Sequence, residues 1–247
     1  MNIKAYLERI GAVESEKRDI EYLAYLQERH LLTIPFENLD ISQKKPIVLA
    51  TELFFQKIIE GKRGGICFEL NGLFNILLNE LGFETKLVSA SVRNEKGGWI
   101  REDGHPTNIV TITEKDYLVE VGYGNAARKP IPLSGEESED ISGVYRAETL
   151  GEKYDLQRKQ EGEWVTIYRF SSEHKPLEKF KDGSDFIQYS PLSHFTQMRA
   201  VTIATEQGRI TAINNTVTIT KNNTKENFTF NEDELPCILQ TYFGIIL

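Results

Sequence analysis

The segment Arg63-Gly64-Gly65-Ile66-Cys67-Phe68-Glu69-Leu70-Asn71 constrains this chain more than any other, because it sets a cysteine where a glycine turn meets an amphipathic helix. Leu70, Leu73, Phe74, Leu77, Leu78 and Leu81 recur at the i, i+3, i+4, i+7 spacing of a buried helical stripe, and Gly82 supplies a stop. Cys67 therefore falls in the first turn. Unsatisfied backbone N–H groups and the positive end of the helix dipole favour a thiolate there, and Arg63 is a cationic neighbour that adds to the effect. Gly64 and Gly65 let the backbone come close to a ligand. The competing reading of Cys67 is a buried, inert thiol, as most free cysteines are.

At 247 residues the chain can bury a substantial core, as one large domain or two or three small ones. Its two cysteines, Cys67 and Cys237, are too few for a disulfide framework and lack the paired spacings of a zinc site, so no metal is expected. Met1-Asn2-Ile3-Lys4-Ala5-Tyr6 opens directly into charged amphipathic sequence without an apolar signal core, and no run is long enough to cross a bilayer. A cytoplasmic protein with no membrane partner is the expectation. The net charge of −8 argues against a nucleic-acid partner, which would need concentrated Lys and Arg. It leaves room for a nucleotide-like cofactor held by a local basic patch.

The pattern changes character twice. Tyr6, Leu7 and Ile10, then Ile20, Leu23, Ala24 and Leu26 give two helices separated at Gly11, and Leu53 to Glu60 reads as a third before the cysteine helix. From Thr85 the chain turns to strands, at Thr85–Arg93, His105–Thr113, Asp116–Val121 and Glu163–Phe170, rich in Val, Ile, Thr and Tyr. This portion predicts a twisted antiparallel sheet or barrel. Strands follow at Ala200–Thr205, Arg209–Ile213, Thr216–Thr220 and Asn227–Phe230, and Asn231 caps a final helix with Pro236 in its first turns. No internal repeat is present.

A cysteine nucleophile needs a base, and there are four histidines. His174 has the polar surroundings of an exposed loop. His30 ends a helix, where a dipole contact or a core role fits it, and His194 is ambiguous at a loop-to-strand entry. His105 is the best candidate: it follows Asp103-Gly104, precedes Pro106 and opens a strand, at a sheet rim. Glu120 follows in the next strand, inside the apolar run Tyr117-Leu118-Val119-Glu120-Val121, where a carboxylate is costly unless paired. With a tight turn at Glu114-Lys115, Glu120 falls opposite Ile109, on the face of His105 but roughly 13 Å along the strand. Direct contact then requires a longer turn, a bulge or a bend near Pro106 and Gly122. The other reading of Glu120 is an edge-strand side chain in solvent.

Four ordered motifs resemble those of the arylamine N-acetyltransferases. They are the Arg63–Asn71 segment; Ile34-Pro35-Phe36-Glu37-Asn38-Leu39-Asp40; Tyr117-Leu118-Val119-Glu120-Val121-Gly122-Tyr123-Gly124; and Phe195-Thr196-Gln197. The resemblance runs from about His30 to Gln197, with a weaker echo to the C-terminus. It implies an α+β fold with an N-terminal helical bundle (1–84), a central antiparallel β-barrel (85–195) and a C-terminal α/β lid (196–247). It also implies acetyl transfer from acetyl coenzyme A to an arylamine or hydrazine through a catalytic triad. Carried over by motif, Cys67 is the nucleophile, His105 the base and Glu120 the third member, where the family usually has aspartate.

The resemblance further places Phe36, Tyr123 and Phe195 against the substrate ring. Tyr123 replaces a frequent phenylalanine. Gly122 and Gly124 are assigned to coenzyme A, although Gly122-Tyr123-Gly124-Asn125 is too short a glycine pattern to count as a phosphate cradle alone, and Arg128 and Lys129 lie just beyond it. The alternatives with a similar triad are a cysteine hydrolase, a transglutaminase-like enzyme or an amide synthase.

Overall fold

The computed structural model describes residues 1–94, 96–125, 127–222 and 224–247. Helices α1 (Ile3–Ile10) and α2 (Ile20–Thr33) begin at Asn2 and Asp19, whose side chains accept from Ala5 N–H at 3.1 Å and Tyr22 N–H at 2.9 Å. Gly11, at φ +62°, ends the first. Strand β1 (Phe36–Glu37) and the short α3 (Leu39–Ser42) lead to α4 (Thr51–Phe55), which widens into a π-helical turn over Gln56–Glu60 rather than continuing as one α-helix. Helix α5 (Cys67–Glu80) is the cysteine helix. Its stripe of Leu70, Leu73, Phe74, Leu77 and Leu78 is buried among Tyr6, Leu23, Leu26 and Phe54. Each such side chain contributes about 2 kcal/mol on burial.

Eight strands form the barrel-like antiparallel sheet: β2 (Glu84–Val92), β3 (His105–Ile112), β4 (Lys115–Val119), β5 (Ile131–Pro132), β6 (Ser138–Asp140), β7 (Gly143–Leu150), β8 (Lys153–Gln160) and β9 (Glu163–His174). Their order is β5-β4-β3-β2-β9-β8-β7-β6. The interior is filled by Val88, Ala90, Ile109, Leu118, Tyr145 and Phe170 among others. Strands β5 to β8 are absent from the sequence reading. In β7 and β8 the inward residues are few, chiefly Tyr145, Ala147 and Leu156, between charged outward ones, so the ladder and not local composition holds them.

Helix α6 (Lys181–Tyr189) returns to the helical side, where Phe180 and Ile187 join the core around α5. Strands β10 (Ala200–Thr205), β11 (Gly208–Ile213), β12 (Thr216–Lys221) and β13 (Thr224–Thr229) form a second sheet, with β1 added along β10. Helix α7 (Leu235–Phe243) follows a 3-10 turn at Glu232–Glu234 and packs Leu239 and Phe243 against Val201 and Val217. The architecture is α+β, as the sequence predicts. Among the described residues no helix is long and apolar enough to cross a membrane.

Candidate active site

Cys67 opens α5 and is 4% exposed. Ile66 N–H, just before it, donates to Glu69 Oε2 at 2.9 Å, so the glutamate three residues on caps its own helix. Gly65 N–H donates to the Pro35 carbonyl. Among the described residues the N–H groups of Cys67 and Phe68 have no acceptor in the protein. The two glycines answer to the protein's own packing rather than to open space for a ligand: a Cβ at Gly64 would stand 2.0 Å from Pro35 O, and one at Gly65 2.8 Å from Glu69 Oε2.

Arg63 is engaged away from the thiol. Its guanidinium donates to Glu37 Oε1 at 3.0 and 2.7 Å and to Asp40 at 3.2 Å. Lys57 meets Asp40 at 2.7 Å and Glu69 at 2.9 Å, which closes a largely buried cluster of five charges beneath the cysteine turn. Burial pushes the Glu69 carboxyl up, with Lys57 opposing it, while Glu69, Glu37 and Asp40 together hold the Lys57 ammonium protonated against its own burial. Asn38, beside Glu37, accepts from Ala200 N–H at 2.7 Å and donates to the carbonyls of Phe195 and Met198. The Phe36-Glu37-Asn38 motif thus pins the cysteine turn to the second sheet.

His105 and Glu120 are brought together by a register that differs from the sequence expectation. The hairpin turns at Thr113 and Glu114, at φ +47° and +64°, one residue earlier than the expected Glu114-Lys115. Asn108 then pairs with Val119, so Glu120 follows opposite Thr107, one diagonal step from His105 on the same face. The glutamate side chain spans that diagonal: His105 Nε2 lies 2.7 Å from Glu120 Oε2. With Nε2 so engaged, Nδ1 is left for the Cys67 thiol. The constellation is buried, His105 at 3% and Glu120 at 2% exposure.

The carboxylate accepts three more hydrogen bonds: Asn71 Nδ2 at 2.7 Å and Gly122 N–H at 2.6 Å on Oε1, and the Tyr168 hydroxyl at 3.1 Å on Oε2. Burial alone would raise its pKa, but His105, Asn71 and Gly122 outweigh it and hold the group below the usual glutamate value. Burial likewise pushes the imidazole down; the Glu120 carboxylate and Cys67 overcome this and raise His105 to about 10. The result is an imidazolium poised between a carboxylate and a thiol.

Asn71 escaped the sequence reading. It lies four residues after Cys67, on the same helical face, and its side chain also donates to Pro106 O at 2.8 Å and accepts from Val121 N–H at 3.0 Å. An asparagine within an otherwise leucine-rich stripe was the available signal. Tyr168 carried none.

Gly122 packs flat on the site: a Cβ there would stand 2.5 Å from Asn71 Nδ2 and 2.8 Å from Cys67 Cα. Gly124 receives Arg209 on its carbonyl and faces Thr202. Arg128 is buried and caps the carbonyls of Thr205 and Gly208, whereas Lys129 is exposed. Phe36 and Phe195 have ring centroids 5.7 Å apart, while Tyr123 stands edge-on to His105 at 5.8 Å.

The remaining histidines fall outside this site. His30 lies wholly inside the core, hydrogen bonded to Tyr6 at 2.9 Å, and burial and Arg9 lower it to about 3. His174 is exposed, but at the end of β9 rather than in a loop. His194 is exposed in a 3-10 turn over His194–Thr196.

Known proteins resemble this chain in sequence and in fold. A family model described as N-acetyltransferase matches residues 19–247. Arylamine N-acetyltransferase 2 of Mus musculus is 30% identical, covering 100% of this chain and 95% of its own. The arylamine N-acetyltransferase of Mycolicibacterium smegmatis is 33% identical over 85% of this chain and 78% of its own. Among solved structures, an arylamine N-acetyltransferase of Bacillus cereus, described as having a unique Cys-His-Glu catalytic triad, superposes with a TM-score of 0.93 at 29% identity, covering 100% of both chains. The Salmonella typhimurium arylamine N-acetyltransferase superposes with a TM-score of 0.94 at 26% identity, over 98% of this chain and 90% of its own. By sequence along its whole length and by fold, the chain belongs to the arylamine N-acetyltransferase family.

Proposed function

We propose that the protein transfers an acetyl group from acetyl coenzyme A to the nitrogen of an arylamine or arylhydrazine, through an acetyl-cysteine at Cys67. The observation that carries this reading is the buried chain from Cys67 through His105 to Glu120, with the carboxylate 2.7 Å from the imidazole. Cys67 Sγ, as the thiolate beside protonated His105, attacks the thioester carbonyl carbon. The oxyanion that forms is met by the N–H of Cys67, free at the start of α5, where the helix dipole favours negative charge. As the tetrahedral centre collapses, the bond to the coenzyme A sulfur breaks and that sulfur takes the proton from His105. Neutral His105 faces the acetyl-cysteine.

In the second half the amine nitrogen attacks the acetyl carbon. His105 takes a proton from the nitrogen, the bond to Sγ breaks, and the thiolate–imidazolium pair returns as the amide leaves. Glu120 keeps the proton of neutral His105 on Nε2, so that Nδ1 is the basic nitrogen, and it stabilises the imidazolium whenever it forms. Aromatic amines suit this step because their low basicity leaves the lone pair free near neutral pH. Phe36, Tyr123 and Phe195 are assigned to the acceptor ring and the Gly122–Gly124 loop to coenzyme A. Both cysteines are free thiols, in keeping with a cytoplasmic enzyme.

Intact-protein mass spectrometry after acetyl coenzyme A without amine should show one added acetyl group, absent in Cys67→Ala, and thiol release should rise strongly when an arylamine is added. An adduct on Cys237, or rapid thiol release indifferent to amine, would sink the reading in favour of a hydrolase.

A further inference from the structure

The Glu120 carboxylate has a partner that the three catalytic groups leave unexplained. Tyr168 of β9 is fully buried, its hydroxyl lies 3.1 Å from Glu120 Oε2, and that oxygen is the one facing His105. Its ring stands 5.3 Å from the His105 ring and 5.9 Å from that of Tyr123. Strand β9 is two ladders from β3 and three from β4, so Tyr168 reaches the carboxylate across the barrel interior rather than along a neighbouring strand.

We propose that Tyr168 is a positioning residue that, with Asn71 and the Gly122 N–H, clamps a glutamate specifically, fixing the plane of the Glu120 carboxylate so that Oε2 meets His105. The clamp rests on the triad reading above. Of the four contacts to the carboxylate, that of Tyr168 is the longest, against 2.6 to 2.7 Å for the others. Removing one methylene, as in aspartate, withdraws the carboxylate by about 1.5 Å, and the phenol is then the first partner to pass beyond hydrogen-bond distance. Burial and the Glu120 charge push the phenol well above its ordinary pKa, so it stays a donor throughout the working range. The titratable groups facing Glu120 are thus His105 of β3, Tyr168 of β9 and Tyr123 of the following loop, with Cys67 of α5 behind His105.

The test uses the full chain with Tyr168→Phe and reads the pH–rate profile of Cys67 alkylation by iodoacetamide, which needs neither acetyl donor nor acceptor. Without the phenol the carboxylate protonates more readily. The acid limb therefore moves to higher pH, and the rate at a fixed pH on that limb falls about tenfold, the lower end for a hydrogen bond to a charged group. In a Glu120→Asp background the same substitution should change the rate less than about twofold, because the shorter carboxylate has already lost the hydroxyl. Incorporating 3-fluorotyrosine at position 168 keeps the shape and strengthens the donor. It should move the acid limb to lower pH, which keeps the test in force should Tyr168→Phe fold poorly. An unchanged profile in folded Tyr168→Phe, or an equal effect in the Glu and Asp backgrounds, overturns the clamp. Cys67 acetylation followed in parallel separates the two readings. Normal acetylation with a Tyr168-independent profile removes the clamp alone. A Tyr168-dependent profile without acetylation keeps the clamp and removes acetyl transfer.

Discussion

Replacing Glu120 by glutamine keeps the shape of the side chain and removes its charge, and the geometry predicts how the site responds. All four groups that meet the carboxylate are donors: Asn71 Nδ2 and Gly122 N–H at Oε1, His105 Nε2 and the Tyr168 hydroxyl at Oε2. An amide offers one acceptor oxygen. If that oxygen takes the Oε2 position, the NH2 group faces two fixed donors at 2.7 and 2.6 Å. Each buried donor left unpaired costs about 1–3 kcal/mol. If it takes the Oε1 position instead, those donors are satisfied and the NH2 faces His105 Nε2, which must then accept. The imidazole proton moves to Nδ1, the nitrogen left for Cys67, and that tautomer cannot take the thiol proton.

The second arrangement leaves fewer donors unpaired, so Glu120→Gln should fold and should be trapped in the wrong tautomer. The expected loss in kcat/KM is about 10⁴-fold, the scale of a carboxylate-to-carboxamide change in a serine-protease triad. Steady-state transfer to an arylamine and single-turnover acetylation of Cys67 measure it, with circular dichroism and thermal melts to establish the fold. A folded Glu120→Gln enzyme within about tenfold of wild type would refute the reasoning and leave Cys67 and His105 acting as a dyad.

Gly122→Ala drives a Cβ to 2.5 Å from Asn71 Nδ2 and 2.8 Å from Cys67 Cα. It should cost about 1–3 kcal/mol of stability and slow Cys67 acetylation, and a wild-type melting temperature would show that the loop and α5 can part freely. Lys57→Met leaves Glu69, Glu37 and Asp40 with Arg63 as their one cation in the cluster, so denaturant unfolding should register a loss of about 3–5 kcal/mol. Adding Glu69→Gln should recover part of that loss, and no recovery would count against the cluster. His30 is held neutral at about 3, while the unfolded chain takes up its proton below about 6.5. Stability should therefore fall as pH drops from 6.5 towards 3, with a slope that His30→Gln flattens by about 1.4 kcal/mol per pH unit; urea melts at three acidic pH values check this. His105 acts in the opposite sense: raised to about 10, its contribution is complete below about 6.5 and is lost as pH rises through 10.

The cysteine helix is legible in the chain because its determinants are local. A leucine stripe, a glycine stop and a glutamate that returns to cap the helix all lie in the one stretch from Ile66 to Gly82. The first helices are legible for the same reason, each started by an Asn or Asp side chain. Strands β7 and β8 are not, since their outward residues are charged and their stability comes from partners on β9 and β6. Arg63 shows the same limit: its charge is visible, but only the fold brings Glu37 and Asp40 to it and so takes it away from the thiol.

By itself the sequence singled out Cys67, His105 and Glu120 as the candidate triad, along with the class of fold, because motif order and helical and strand periodicity are written in short stretches. The tertiary structure alone decided that Glu120 meets His105. A hairpin turning one residue earlier than expected moves Glu120 from opposite Ile109 to opposite Thr107, and a glutamate bridges the remaining diagonal where the sequence placed the pair roughly four residues of strand apart. It also decided who holds the carboxylate. Asn71 and Tyr168 lie 49 and 48 positions from Glu120, and pairings at that separation depend on strand register and on how the helix and the curled sheet pack. Those are properties of packing between strands, which no local propensity encodes.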